Sequence, residues 1–292
     1  MLKNNELFLV ILVLSMLFVS CNEDLAETEP EQNLSVVILT DYSIGSDIVI
    51  SIEGQLISRY PGIDIHYFEA KPFSIAEASY QLQVAAENYP EGTYFLALIE
   101  PGADAERMVF KTEKNQLFVT PNNSLVTKLF HEINTSECFR IENDFWCNGL
   151  NPENQNFLTV YVSSMCDLVD GRLPADFGSK IDLPETFAVQ DAVFENDTLS
   201  GQIDYSDNFG NCITNIPGSM LAAFEQGDLL EVQTTDTTFF ALLGTSYSSV
   251  SEGQNVLFAN SLNKLELAVN MGSLSKCYNI GAGTTIHINL PE

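Results

Sequence analysis

From Leu34 to about residue 180 the chain alternates between buried-strand runs and helix-period runs, and this alternation restricts the fold more than any other feature. SVVILTD (35–41) is an apolar strand ending at a loop, and DIVISIEGQLISRY (47–60) carries apolar residues at helical spacing before Pro61-Gly62 stops it. IDIHYF (63–68) reads as a second strand and SIAEASYQLQVAAENY (74–89) as a helix bounded by Pro90-Glu91-Gly92. TYFLALIE (93–100) is a third strand that ends in the loop PGADAER, and LFVTP (117–121) is a fourth, followed by a helical SLVTKLFHEI (124–133). Strands separated by helices predict a mostly parallel sheet covered on both faces. Ligands bind such sheets at the carboxyl ends of strands, where Asp41 and Glu100 fall.

The pattern changes after about Asp182. FAVQDAVFEN (187–196), LSGQIDYSD (199–207), LLEVQTT (229–235), TFFALLG (238–244), NVLFANS (255–261), KLELAVN (264–270) and TTIHINL (284–290) are short segments with turn signals between them. They predict an all-β domain, a small barrel or sandwich. The expected organisation is an α/β domain over 34–182 and a β domain over 183–292.

Residues 1–20 stand apart from that fold. Lys3 precedes an apolar run from Leu7 to Val19, 13 residues long, too short to span a bilayer and shaped like a secretory signal. The run stops at Ser20-Cys21, which resembles a bacterial lipoprotein signal, with Cys21 as the lipidated first residue of the mature protein; the other reading is an ordinary signal peptide that meets a cysteine. Residues 21–33 are acidic, contain Pro30 and read as a tether. The expectation is a protein outside the cytoplasm, held to a bacterial membrane only through lipid on Cys21.

Charge narrows the partners. The 12 Lys and Arg face 40 Asp and Glu, a formal charge of -28, which speaks against nucleic acid and against docking on anionic lipid by charge. A cationic small ligand would be attracted. Beyond Cys21 there are Cys138, Cys147, Cys166, Cys212 and Cys277. In an oxidising compartment Cys138–Cys147 is a candidate loop-closing pair and Cys212–Cys277 another, leaving Cys166 free and buried. No CxxC occurs and His66, His131 and His287 are far apart in sequence, so no metal and no cofactor are expected.

The stretch YSDNFGNCITNIP (205–217) holds more Asp, Asn and Gly than a hairpin turn requires. It lines up in order with VVILTDYSIGSD (36–47), FLALIEPGADAER (95–107), LFVTPNNSLVT (117–127) and FANSLNKLELAVNMGSLSKCYNIGAGTTI (258–286). Together these resemble the family of S-adenosylmethionine hydroxide adenosyltransferases and their halogenase relatives, whose motifs run approximately TTDFGxxD, VDPGVGTxR, PDNGxL, DRFGNxITNI and NSxGxLEIAVxxGSA. The resemblance covers nearly all of the chain beyond the tether. It implies an α/β domain followed by a β domain, and in-line attack on the ribose C5′ of S-adenosylmethionine with methionine as leaving group. It also implies a homotrimer whose sites lie between one subunit's first domain and its neighbour's second.

Carried over residue by residue, the resemblance assigns Asp41 to the ribose hydroxyls, and Asp207 and Asn211 to the methionine head group. Asn260 and Ser261 fall at that same end, and Glu266 is the acidic residue of the LE step. Glu100 and Arg107 match two members of the Asp–Arg–His group that activates water in the hydrolytic relatives, with Glu in place of Asp. The third has no match: the stretch nearest FHGRDxFAP is Asn156 to Ser163, with Asn156 near the His position. PDNG has become Pro121-Asn122-Asn123-Ser124. Three readings follow: an adenosyltransferase or hydrolase using Glu100 and Arg107, a surface nucleoside- or S-adenosylmethionine-binding protein without chemistry, and a structural lipoprotein. The hydrolytic reaction, slowed by the missing His, is the first of them.

Overall fold

In the computed structural model, the described residues are 34–102, 104–133, 135–142 and 157–290. Cys21, Cys147, Asn156, the signal segment and the tether lie outside them. Strands β1 (Ser35–Thr40), β2 (Asp64–Glu69), β3 (Tyr94–Leu98), β4 (Arg107–Thr112), β5 (Leu117–Pro121), β6 (Thr135–Arg140) and β7 (Lys180–Ile181) form one sheet in the order β2-β1-β3-β5-β4-β6-β7. The first four in that order are parallel, and β4, β6 and β7 extend the sheet antiparallel from β5.

Helices α1 (Asp47–Arg59) and α4 (Phe157–Val169) cover one face; α2 (Ile75–Asn88) and α3 (Thr127–Glu132) cover the other. The strand sequence sorts its side chains between them with period two: Val36 and Ile38 pack with Ile52, Leu56 and Met165, whereas Val37 and Leu39 pack with Ala78, Leu82 and Leu129. That is why β1 is apolar at four consecutive positions, Val36 to Leu39, rather than at alternate ones. Phe95, Phe118 and Phe110 stack across three neighbouring strands at 4.5 and 4.6 Å.

Strands β8 (Val193–Glu195), β9 (Thr198–Ser206), β10 (Cys212–Pro217), β11 (Leu229–Gln233), β12 (Thr238–Leu243), β13 (Asn255–Ala259), β14 (Lys264–Val269) and β15 (Thr285–Asn289), with the short α5 (Leu274–Tyr278), build the second sheet. The order β10-β14-β13-β12-β11-β15-β9 closes through the β9–β10 pairing, so seven strands form a barrel, with β8 added outside β9. Its interior is Leu199, Ile203, Ile216, Val232, Leu267, Ile286 and similar side chains from alternate strand positions. Of the two architectures expected for the second part, the barrel is the one formed.

Two expectations are corrected, for the segment 187–196 and for the cysteines. The segment 187–196 is strand only at Val193–Glu195; before it, Glu185 N–H donates to Asn122 Oδ1 and Phe187 N–H to Thr127 Oγ1, so side chains of the first domain satisfy that backbone. The stretch aligned with FHGRDxFAP is helical from Phe157 onward. Cys138, Cys166 and Cys212 are buried free thiols and Cys277 is an exposed one, so the Cys212–Cys277 bridge does not form and Cys138 is not half of a bridge. Cys212 points into the barrel, 3.6 Å from Ser206 Oγ, while Cys277 sits on the outer side of α5. Burial raises the Cys212 and Cys138 thiols to about 11.

Candidate functional site

The carboxyl edge of the parallel strands gathers the first set of predicted residues. Asp41 follows β1, and its Oδ2 accepts the Glu100 amide at 3.1 Å. The parallel pairing of β1 and β3, with Thr40 opposite Leu98, brings the ends of the two strands together. Glu100 has φ +45°, a left-handed conformation uncommon outside glycine, and the Asp41 carboxylate holds that turn. Asn123 Nδ2 donates to the Ile99 carbonyl at 2.9 Å, fixing the loop after β5 against the same turn. Arg107 opens β4 opposite Pro121, and its guanidinium carbon lies 5.7 Å from the centre of the Tyr161 ring. Beside Arg107, Glu106 accepts from Arg140 and from Asn122, each at 2.6 Å. Burial and the nearby Asp41 carboxylate both hold the Tyr42 phenol above its ordinary value.

The second set sits on the barrel. Asp207 Oδ1 accepts the amides of Phe209 and Asn211 at 2.9 Å each, and Oδ2 accepts Asn211 Nδ2 at 2.9 Å. This is an Asx-type turn. Gly210 has φ +88°, and a Cβ there would lie 1.9 Å from Ser273 Oγ, so the turn requires glycine. Asn211 Nδ2 also reaches Tyr247 Oη at 3.5 Å; Tyr247 donates to Glu266 Oε1 at 2.5 Å, and Asn260 Nδ2 donates to Glu266 Oε2 at 3.2 Å. Asn260 Oδ1 accepts from Leu262 and Lys264 amides, closing the β13–β14 corner.

A polar chain therefore runs from Asp207 to Asn260, with Glu266 only 5% exposed at its centre. Tyr247, Asn260, Ser261 and Glu266 line a cavity of about 510 Å³ together with Tyr80, Tyr205 and Phe258. Phe209, in the Asp207 loop, is 78% exposed. Tyr247 is the member that sequence reasoning missed: it lies in the Ser-rich connection between β12 and β13, outside every motif. Its phenol is pushed up by burial and then by its bond to Glu266, so it stays a donor.

Three contacts from the first domain fix β9 and so the Asp207 loop. Lys128 of α3 pairs with Asp204 at 2.6 Å, both side chains nearly fully buried. Tyr80 stacks on Tyr205 with ring centres 5.6 Å apart. Lys71 Nζ donates to Glu77 and to the Ser206 carbonyl at 3.0 and 2.7 Å. The hydrogen bonds of the described residues join each of the two site clusters internally. Among those residues, no group of three or more His, Cys, Asp or Glu side chains is arranged for a metal.

The chain was compared with known proteins. It is 24% identical over 265 residues to the (R)-S-adenosyl-L-methionine hydrolase of Thermus thermophilus, covering 87% of this chain and 98% of that one. It is 23% identical over 296 residues to the fluorinase of an Actinoplanes species, covering 88% and 97%. An uncharacterized conserved protein from Thermotoga maritima has the same fold, with a TM-score of 0.77, 26% identity, and coverage of 87% of this chain and 99% of that one. A conserved hypothetical protein of Thermus thermophilus matches the fold at a TM-score of 0.68 and 22% identity, over 87% and 99% of the two chains. Residues 36–178 match the model of the SAM hydroxide adenosyltransferase N-terminal domain and residues 201–287 that of the C-terminal domain. With both domains matched in order and most of its length covered, the chain belongs to the SAM hydroxide adenosyltransferase family.

Proposed function

We propose that the protein binds S-adenosylmethionine and hydrolyses it slowly to adenosine and methionine. The observation that carries this reading is the connected polar chain Asp207–Asn211–Tyr247–Glu266–Asn260 along an aromatic-walled cavity. Aromatic walls suit a purine, and carboxylate and amide acceptors suit an ammonium. The ligand carries a sulfonium and an ammonium against one carboxylate, and the acidic chain attracts such a cation. Water attacks C5′, the C5′–S bond breaks with its electron pair passing to the methionine sulfur, and the water's proton is released. Asp41 would take the ribose hydroxyls, with Glu100 and Arg107 beside the attacking water. The site would be completed in a homotrimer, the first-domain edge of one subunit facing the barrel of the next; lipid on Cys21 would place it outside the cytoplasm.

A second reading, capture of the nucleoside without turnover, is favoured by the lack of an HGRD stretch in the sequence and by the resemblance of residues 1–21 to an export signal, which would place the protein where S-adenosylmethionine is scarce. One experiment separates them. The protein is incubated with S-adenosylmethionine, adenosine is followed by chromatography, and binding is measured calorimetrically. Adenosine release that disappears in Arg107→Ala and weakens in Asp207→Asn supports hydrolysis. Binding without adenosine supports capture, and no binding of any adenine nucleoside refutes both. Sedimentation tests the trimer, and palmitate labelling lost in Cys21→Ala tests the anchor.

A further inference from the structure

A second cavity, of about 370 Å³, opens where α3, the connection before β8 and the strands β9, β10 and β14 meet. It shares no lining residue with the cavity beside Tyr247. Its charges sort by depth. Lys128 and Asp204, 5% and 6% exposed, pair at 2.6 Å at the inner end. Lys128 commits one of its three N–H donors to Asp204 Oδ1, and Asp204 Oδ2 accepts from no described residue. Lys264 is half-buried and acts on Asp204 through its charge, yet its ammonium makes no hydrogen bond or ion pair with a described residue. Glu132 and Asp191 are exposed carboxylates at the mouth, and His131 pairs with Asp191 at 3.2 Å. Val189, Ala192, Pro217 and Met220 make the remaining wall apolar.

Two ammonium groups against one carboxylate leave the inner end with positive charge in excess, and buried charge calls for a partner. The mouth is acidic. A plain anion meets the mouth carboxylates and the chain's formal charge of -28, and a plain cation meets Lys128 and Lys264. A ligand carrying both charges side by side avoids each repulsion. We propose that this cavity is a second binding site, for a free α-amino acid with an apolar side chain. The carboxylate accepts from Lys264 and from a spare donor of Lys128. The ammonium donates to Asp204 Oδ2, with Glu132 and Asp191 adding attraction from the mouth. The side chain lies along the apolar wall. The cavity is at the small end of ligand pockets, which run from about 300 to 1,000 Å³.

The test is calorimetric titration of the full chain with L-norleucine, with hexanoate, which lacks the ammonium, and with pentylamine, which lacks the carboxylate. Norleucine is expected to bind, and each half-molecule at least about tenfold more weakly, the loss of one charge-assisted contact. Lys264→Met keeps the stem of the side chain. Lys264 serves the β13–β14 corner through its backbone amide, so the corner stays intact. That variant is expected to weaken the norleucine Kd about tenfold. Glu132→Gln, exposed at the end of α3, is the second variant and should weaken it about threefold. Asp207→Asn, in the loop beside the other cavity, should leave the norleucine Kd unchanged. Hexanoate binding as tightly as norleucine overturns the proposal, as does norleucine binding unchanged in both Lys264→Met and Glu132→Gln. Binding lost in Asp207→Asn would move the amino acid to the other cavity, and no heat from norleucine would leave this one without its ligand; either result refutes the site.

Discussion

The buried Lys128–Asp204 pair is the sharpest test of how the barrel is fixed to the α/β layer. The two side chains are 5% and 6% exposed and 2.6 Å apart. Replacing Lys128 by Met leaves the Asp204 carboxylate buried beside Glu132, with only Lys264 as a more distant cation. Removing one member of such a pair costs about 3–5 kcal/mol, or on the order of 10 °C in Tm for a chain of this size. A cavity of about 370 Å³, lined also by His131 and Asp191, opens beside the pair and admits water, which favours the lower end. Urea unfolding of wild type, Lys128→Met, Asp204→Leu and the double variant gives the full cycle. The double variant is expected to recover most of the loss, since two apolar side chains need no pairing.

The pH dependence has a definite sign. Burial raises the Asp204 carboxyl above its unfolded value, and Lys128 only partly opposes this. The folded state therefore binds the proton more tightly. This group's contribution to stability falls as pH rises from the unfolded value near ~3.9 through the folded one. Without Lys128 the upward shift is larger, so Lys128→Met should be more damaging at pH 7.5 than at pH 5.5. A Lys128→Met loss below about 1 kcal/mol, the range of an exposed pair, would refute the reasoning. So would a double variant no better than the single one.

Other consequences follow from the site. Gly210→Ala places a Cβ against Ser273 Oγ at positive φ and should cost about 1–3 kcal/mol while abolishing nucleoside binding in calorimetry. Tyr247→Phe removes one of the two bonds to buried Glu266 and should lower stability by about 1–2 kcal/mol by urea unfolding, with weaker binding of S-adenosylmethionine. Of the four described cysteines, only Cys277 should react with a thiol reagent in the native protein; Cys138, Cys166 and Cys212 should react on unfolding.

The parallel half of the first sheet was legible because β1, β3 and β5 are short apolar runs separated by helices with clear stops. β4 was not: RMVFKT carries charges at both ends and follows directly on the PGADAER loop, so nothing in its pattern announces an antiparallel partner for β5. Helix α4, FLTVYVSSMCDLV, is rich in β-branched and aromatic residues that disfavour helix locally; packing against β3 and β5 overrides that preference. On the barrel, Asp207, Asn211, Asn260 and Glu266 are joined by hydrogen bonds through Tyr247. Tyr247 escaped notice because its place depends on the parallel crossing from β12 to β13, which no local pattern encodes.

Asp207 poses the remaining question, because its carboxylate builds its own loop. Oδ1 accepts two backbone amides and Oδ2 accepts one side-chain amide, and a carboxylate has about four acceptor directions, so one on Oδ2 is left for a ligand. Asp207→Ala would collapse the turn and report on folding and binding together. Asp207→Asn separates them: its Oδ1 still caps Phe209 and Asn211, and a flipped Asn211 amide accepts from the new Nδ2. The turn survives and the charge is lost. If Asp207 faces the ammonium of the methionine head group, the Kd for S-adenosylmethionine should weaken about tenfold. The Kd for adenosine, which lacks that group, should be unchanged. Equal weakening of both ligands would mean that Asp207 shapes the loop and touches neither.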